Sequence, residues 1–191
     1  MAHSSTYLFY DLETSGLNKC FDQILQFAAI RTDLNFNEID RYEIKIKLNP
    51  DVIPAPGAII THRISIQEMQ IGETELQAIF KIHRWLNYPG TISLGYNTLG
   101  FDDEFLRFSF FRNLLTPYTH QYANNCKRMD IYPIALLYYL FSHETLNWPT
   151  RNDKISLKLE DIAHANGFLH NQAHNAMSDV EATIQLHSIP N

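Results

Sequence analysis

The chain has 191 residues, of which 45% are hydrophobic, 13% aromatic and 19% charged. This composition predicts one folded domain and excludes an intrinsically disordered chain, which would be poorer in aromatic residues. The formal net charge of −6 argues against a generic polyanion-binding protein, since that affinity comes from clustered lysine and arginine. It remains compatible with a protein that meets nucleic acid through bound metal ions.

The longest purely apolar run, residues 134–141, is shorter than the roughly 20 residues of a membrane span, and we expect a cytoplasmic protein. Residues 1–6 are set aside as tag-derived or disordered. Cys20 and Cys126 form no Cys-x-x-Cys pair and predict two incidental thiols in a reduced protein. The spacing of the histidines and cysteines does not support a zinc site.

The first part of the chain predicts a sheet. Its strands open as a meander over residues 7–12, 24–31 and 42–48, the last of which alternates apolar and charged side chains. The connection between the second and third strands falls at residues 35–37. Residues 50–57 predict a loop, because Pro54 and Pro56 cannot donate hydrogen bonds to a sheet.

The rest of the chain predicts helices around one more buried strand, residues 92–96. The helices that apolar spacing predicts cover residues 74–87, 101–113, 130–141 and 176–187. Ser65 and Glu68 have capping-box spacing and predict an additional short helix. Ser156 is the predicted cap of another helix, which Gly167 ends.

Phe101, Phe105 and Phe108 share one helix face, and we interpret them as core residues rather than a platform for stacking bases. Strands first and helices later, with a buried strand between helices, predict an α/β domain with a central mixed sheet flanked by helices.

Two carboxylates end the first strand. Alternation places Asp11 and Glu13 on the same face, about 7 Å apart along the chain, which suits a divalent cation. An Asp-x-Glu pair is common by chance, and Asp102-x-Glu104 is a second one in this chain. The pair is therefore informative only together with other residues, and a solvated strand end is the alternative.

Further polar residues follow later in the chain. Asn97 ends the buried strand, and Asp102 and Asp103 begin the next helix, where one of them could instead act as a cap. His174 precedes Asp179 by five residues, which is about 500° of helix, so the two cannot share a helix face. His174 must lie before the helix to reach a site near Asp179, and a capping or surface role is its alternative.

In this order and context, the carboxylates and the histidine resemble the DEDDh branch of the 3′-to-5′ exonucleases. The sequence is most similar to the nuclease domain of the exonuclease I family. The matching segments are residues 11–14, 26–33, 95–97, 101–104, 147–149, 165–167 and 173–180. They cover most of the chain between Tyr7 and Leu186.

The resemblance implies a ribonuclease-H-like fold and a two-metal 3′-to-5′ exonuclease that converts single-stranded DNA to 5′-mononucleotides in DNA repair or recombination. Asp11, Glu13 and Asp179 would hold one Mg²⁺ or Mn²⁺, and Asp11 with Asp102 would hold a second. His174 would accept the proton of the attacking water, since imidazole titrates near neutral pH.

The resemblance also implies substrate contacts. Thr14 and Gly16 would hold the terminal 3′ hydroxyl and sugar, and Asn97 would order the second acidic motif. A single-strand DNA-binding protein is the implied partner, and no membrane is expected. The candidates for phosphate contacts are Lys19, Arg63, Arg107, Arg112, Lys127 and Arg128.

Three positions depart from the family pattern: Gly100, Leu157 and Asn175 stand where arginine, phenylalanine and aspartate are expected. None removes a predicted ligand or the base. We treat residues 1–191 as one exonuclease domain. The resemblance implies further domains, so we expect a fragment of a longer enzyme with low processivity.

Three other functions stay open at this point. An RNA-trimming exonuclease of the same superfamily would share fold and motifs, because contacts to the 2′-hydroxyl are local. A noncatalytic nucleic-acid-binding module would not need all five site residues. A protein-interaction role has no motif to support it.

Overall fold

The computed structural model describes residues 4–168 and 175–188. These described residues form seven strands: β1 (Thr6–Thr14), β2 (Ile24–Thr32), β3 (Glu38–Lys45), β4 (Thr91–Gly95), β5 (Lys127–Asp130), β6 (Thr150–Arg151) and β7 (Lys154–Ile155). The helices are α1 (Pro56–His62), α2 (Glu75–Leu86), α3 (Asp102–Arg112), α4 (Ile131–Phe141), α5 (Leu159–Asn166) and α6 (Ala176–His187). No helix in these ranges has both the length and the apolar character that a membrane crossing requires.

The central sheet has the strand order β3-β2-β1-β4-β5. β2 is antiparallel to both β1 and β3, whereas β1, β4 and β5 are parallel to one another. The predicted mixed sheet and its opening meander are confirmed. Because β1, β4 and β5 run in the same direction, their carboxyl ends meet at one edge of the sheet.

Both faces of the sheet are covered by helices. One hydrophobic cluster joins the sheet to α2 and α3, and a second joins it to α4, α5 and α6. Every residue of β2 is buried, since a strand lies on each side of it and helices cover both faces. Alternation along β1 sends Leu8, Tyr10 and Leu12 into the first cluster and Phe9 into the second.

One loop prediction and one helix-cap prediction were wrong. Residues 50–57 are not entirely loop, because Pro56 begins α1, where its fixed φ suits the first turn of a helix. Ser156 does not cap α5, which has Lys158 at its N-cap; the Ser156 hydroxyl instead donates to the Asp161 carboxylate.

Other differences lie at element boundaries. The third strand begins at Glu38 and ends at Lys45, and beyond it Ile46 forms a single bridge with Glu73. The capping box of Ser65 and Glu68 forms as expected, but it starts only one 3₁₀ turn. The predictions missed β5 and the two-residue strands β6 and β7, which are too short to show a period.

The interpretation of the α3 aromatics holds for two of the three rings. Phe105 is buried and Phe101 packs against the first cluster, with ring centroids 4.9 Å apart. Phe108 is half-buried outside both clusters, and the guanidinium carbon of Arg107 lies 4.0 Å from its ring centroid.

Candidate active site

Three carboxylates meet at the edge of the sheet where β1 ends. Asp11, Glu13 and Asp179 each offer an oxygen, and these oxygens lie within 4.8 Å of one another. Asp11 and Glu13 come from β1, whereas Asp179 is on the first turn of α6, about 170 residues later in the chain. The structure therefore joins both ends of the sequence in one acidic cluster.

The packing of α6 explains this meeting. Phe9, Asp11 and Glu13 share one face of β1 because side chains alternate along a strand. Val180 packs with Phe9 in the cluster beneath α6. The adjacent Asp179 is thereby brought to the two carboxylates that extend beyond the apolar part of β1.

Asp102 lies beside this group, at the first position of α3, and is 5% exposed. The Asp102 charge raises the pKa of Asp11, which places the two carboxylates in the same electrostatic environment. Neither Asp102 nor Asp103 caps α3, since Phe101 occupies the N-cap and makes no capping bond with its side chain.

Burial and mutual repulsion raise the pKa values of this site. Burial is the larger cause for Asp11, whose pKa lies well above its usual value, and the charges of Asp102, Asp179 and Glu13 raise it further. Burial also raises the pKa of Glu13 to about 8, with contributions from Asp179 and Asp102. The pKa of Asp102 rises to about 8, mainly through burial.

The residues present fit bound divalent cations. Among the described residues, Asp11, Glu13 and Asp102 form no ion pair with lysine, arginine or histidine, so their charges are not compensated there by side chains of the chain. Clustered carboxylate oxygens are the ligands that hard cations such as Mg²⁺ and Mn²⁺ take. Asp11, Glu13 and Asp179 could hold one ion, and Asp102 could complete a second position with Asp11.

A cleft of about 640 Å³ opens in front of Asp11 and Asp179. Arg151 and Lys158 line this cleft and bring positive charge to it. Neither was predicted as a phosphate contact. The signal that could have found Arg151 is the adjacent Asn152-Asp153 pair, a hairpin-turn sequence in which both residues have left-handed φ.

A second cavity of about 370 Å³ lies on the side of Glu13 and contains Thr14, Gly16 and His62. The Thr14 hydroxyl donates to the Gly16 carbonyl at 2.8 Å. A Cβ at Gly16 would lie 2.4 Å from a carboxylate oxygen of Asp22, so any larger residue would disturb this turn. The structure thus places both predicted sugar contacts beside the acidic cluster.

Asn97 lines the larger cleft together with Asp11 and Asp179. Its backbone has φ 60°, in the left-handed region that asparagine tolerates better than most residues. His174 lies outside the described residues. Asn175 follows it as the N-cap of α6 and accepts a hydrogen bond from the Met177 amide, a role that asparagine fills as well as aspartate.

The six predicted phosphate contacts do not line the larger cleft within the described ranges. Three of them are held in ion pairs: Arg107 with Glu104, Arg112 with Glu75 and Arg128 with Asp103. Lys19 donates to the Gly100 carbonyl. Arg63 is the left-handed C-cap of α1, and Lys127 begins β5.

Comparison with known proteins gives the same family as the resemblance of the sequence motifs. Residues 8–187 match the RNase T family model, described as exonuclease. The chain is 40% identical over 185 residues to exodeoxyribonuclease I of Escherichia coli (strain K12), an alignment that covers 95% of this chain and 39% of that protein. The chain thus spans about two fifths of that relative's length.

Solved structures agree. The crystal structure of E. coli exonuclease I in complex with a dA16 oligonucleotide has a TM-score of 0.94 and 38% identity, covering 97% of this chain and 40% of that one. The zinc-bound E. coli complex with single-stranded DNA also has a TM-score of 0.94 with 38% identity, covering 98% of this chain and 40% of that one. A complex of exonuclease I with SSB-Ct has a TM-score of 0.92 with 37% identity, covering 98% and 41%.

The central mixed sheet, the helices on both of its faces and these superpositions confirm the ribonuclease-H-like exonuclease fold. The acidic cluster at the end of β1 lies within the matched residues. This chain belongs to the exonuclease family.

Proposed function

We propose that residues 1–191 form a single catalytic domain of a metal-dependent 3′-to-5′ exonuclease that hydrolyses single-stranded DNA to 5′-mononucleotides. The observation that carries the proposal is the meeting of Asp11, Glu13 and Asp179 within 4.8 Å at the mouth of a cleft that Arg151 and Lys158 line. A role in DNA repair or recombination and a cytoplasmic location stay predictions.

The proposed cofactors are two Mg²⁺ or Mn²⁺ ions. Asp11, Glu13 and Asp179 would hold the first, and Asp11 with Asp102 the second. When bound, such ions activate water, polarise the scissile phosphate and stabilise the leaving 3′ oxyanion. Burial, followed by the charges of Asp179 and Asp102, raises the pKa of Glu13 to about 8, and bound cations would offset both effects, which supports this assignment. The pKa of Asp102 is raised mainly by burial, which a bound cation would likewise offset.

The other residues bind and orient the strand. We propose that His174 takes the proton from the attacking water. Thr14 and Gly16 hold the terminal sugar in the smaller cavity, and Asn97, which lines the larger cleft, orders the second acidic motif. Lys158 and Arg151 replace the six cations predicted from sequence as phosphate contacts, because they are the cations that line the larger cleft.

DNA is the proposed substrate because the similar E. coli structures are described with a dA16 oligonucleotide and with single-stranded DNA. A single-strand DNA-binding protein is the proposed partner, since another similar structure is described as a complex with SSB-Ct. RNA as the preferred substrate is the competing outcome that an experiment must separate.

The test is a time course with Mg²⁺ or Mn²⁺ on 5′-labelled single-stranded DNA and matched RNA, with EDTA, duplex DNA and Asp179→Asn as controls. We expect a metal-dependent ladder that shortens from the 3′ end of DNA. Faster shortening of RNA would overturn the DNA preference. Intact strands that nevertheless bind the protein would favour a noncatalytic module or a fragment that needs further domains for turnover.

His174→Ala separates the base from the metal ligands. Turnover should be lost while most metal binding remains, whereas Asp179→Asn should lose both. Equal loss of metal binding in the two variants would refute this division of roles.

A further inference from the structure

Asp130 is a buried carboxylate that the proposed chemistry does not use. It is the last residue of β5, is 8% exposed and pairs with Gly95 of β4 in the parallel register. It therefore lies at the same edge of the sheet as the acidic cluster. It is not among the three residues whose oxygens lie within 4.8 Å.

The Asp130 carboxylate accepts three backbone hydrogen bonds from two different segments. One oxygen, Oδ1, accepts from the Asn97 amide at 2.8 Å and from the Tyr132 amide at 2.9 Å. The other, Oδ2, accepts from the Leu99 amide at 3.1 Å. Asn97 and Tyr132 both line the larger cleft, so one carboxylate fixes the backbone of two residues in its wall.

The segment between β4 and α3 depends on hydrogen bonds to residues outside it, such as those that Asp130 accepts. Asn97 holds a left-handed φ of 60°, a conformation that a non-glycine residue keeps only when its surroundings stabilise it. Phe101, the N-cap of α3, makes no capping bond with its side chain. The Thr98 carbonyl instead accepts from the Phe101 and Asp103 amides, so the start of α3 is attached to this segment.

Asp102 is the first residue of α3 and therefore inherits its position from the same segment. We propose that Asp130 is a positioning residue of the active site, which holds Asn97, Tyr132 and, through the β4–α3 segment, Asp102 in their working geometry. This inference rests on the proposed function. Asp130 is not a metal ligand in this assignment, because backbone amides occupy three of the positions at which its oxygens accept.

A purely structural role would be the capping of α4, in which only the Tyr132 bond takes part. Asp130→Ser separates the two roles. Serine is a good N-cap and keeps an acceptor for α4, but its shorter side chain does not reach the Asn97 and Leu99 amides. Asp130→Asn is the conservative variant, since it keeps one acceptor oxygen and replaces only the other oxygen of the carboxylate with an NH₂ group.

The experiment measures kcat and KM on single-stranded DNA, and Mn²⁺ binding to the metal-free protein, for the wild type and both variants. We expect Asp130→Ser to lower kcat roughly 10- to 100-fold, with a smaller loss for Asp130→Asn, as is typical when support of a metal site is removed. Both variants should still bind two Mn²⁺ ions, the weaker of them with reduced affinity.

Thr74→Ala is the matched control, because it removes a helix N-cap, that of α2, away from the site. Thr74→Ala should lower the unfolding temperature by about as much as Asp130→Ser does, and it should leave kcat unchanged. A kcat for Asp130→Ser within twofold of the wild type would overturn the proposal, as would the complete loss of one Mn²⁺ ion, which would make Asp130 a ligand. A wild type without turnover would refute the proposed function, whereas the Mn²⁺ affinities would still test Asp130.

Discussion

Asp102 and Asp103 are neighbours in the sequence and both are buried, but they lie in opposite environments. Asp102 faces the acidic cluster, and its pKa is raised to about 8. Asp103 accepts from His120 Nε2 at 3.0 Å and Gln121 Nε2 at 3.2 Å, and it pairs with Arg128.

The difference follows from helix geometry. Successive residues on a helix point about 100° apart, so the first turn of α3 presents one carboxylate to each side. Asp102 lies where no described side chain neutralises it, which makes the site unfavourable until cations bind. Asp103 lies among donors that hold it in place. A buried carboxylate is therefore a candidate ligand or a structural anchor according to its partners, not its burial.

The largest expected effect is on activity, which should distinguish the acidic cluster from the surroundings of Asp103. Asp11→Asn, on the side of the acidic cluster, should lower turnover on single-stranded DNA on the order of 10³-fold or more, because it removes an oxygen ligand proposed for both ions. Asp103→Asn should retain measurable turnover. Initial rates on a 5′-labelled oligonucleotide check this, and equal losses in the two variants would contradict the distinction.

The next effect is on stability, where Asp103→Asn should be the more damaging of the two substitutions. Asp103→Asn should lower the free energy of unfolding by about 3 kcal/mol, since His120 and Arg128 lose a buried anionic partner. Asp11→Asn should stabilise the metal-free protein, because it relieves repulsion within the acidic cluster. Urea unfolding in EDTA measures both, and destabilisation by Asp11→Asn would be evidence against repulsion there.

Metal binding should reverse the instability of the acidic cluster. At a Mn²⁺ concentration 100 times the dissociation constant, the wild type should gain about 2.7 kcal/mol, or about 5 to 10 °C in unfolding temperature. Asp179→Asn should lose most of this shift. Asp103→Asn should keep it, although from a lower starting temperature. Thermal unfolding with and without Mn²⁺ measures this shift for each protein. A shift in Asp179→Asn equal to that of the wild type would exclude Asp179 as a ligand.

The pKa values give a pH dependence with a definite sign. Glu13 and Asp102 have pKa values of about 8 in the folded protein, above their usual 4.5 and 3.8. The unfolded chain therefore releases these protons first, and the free energy of unfolding should fall as the pH rises from about 4 to about 8 without metal. Asp102→Asn should flatten this fall in urea titrations, and parallel curves for the two proteins would refute the assignment.

The smallest effect concerns the cleft rather than the carboxylates. Lys158→Met should weaken single-stranded DNA binding modestly and lower the slope of log K against log salt by about 0.7, the value for one released counterion. Lys127→Met, outside the cleft, is the control and should leave the slope unchanged. Fluorescence anisotropy in Ca²⁺ at several salt concentrations measures both slopes.

Much of the fold could be predicted from local patterns. The three opening strands, the buried β4 and helices α2, α3, α4 and α6 follow from the period of apolar residues, because one face of each element is buried. β5 was not predicted, because it has only four residues and two of them, Lys127 and Arg128, are exposed, so it shows no apolar period. Helix α1 was missed because Pro56 and Gly57 begin it and Pro54 lies just before it.

The candidate site divides in the same way. Asp11, Glu13 and Asp179 could be named because strand alternation and helix geometry are local, and the family resemblance supplied the rest. The roles of Arg151, Lys158 and Asp130 could not be predicted. Their neighbours in space come from distant parts of the chain, and apart from the Asn152-Asp153 turn beside Arg151, nothing in their local sequence distinguishes them from ordinary solvated charges.

The sequence by itself determined which residues carry carboxylates at the ends of elements, because the periods of strands and helices depend only on nearby residues. The tertiary structure alone decided which of these carboxylates face one another and which find a basic partner. Asp102 and Asp103 show the reason: the energy of a buried charge depends on all groups within a few ångströms, and chain packing, not sequence separation, sets those distances.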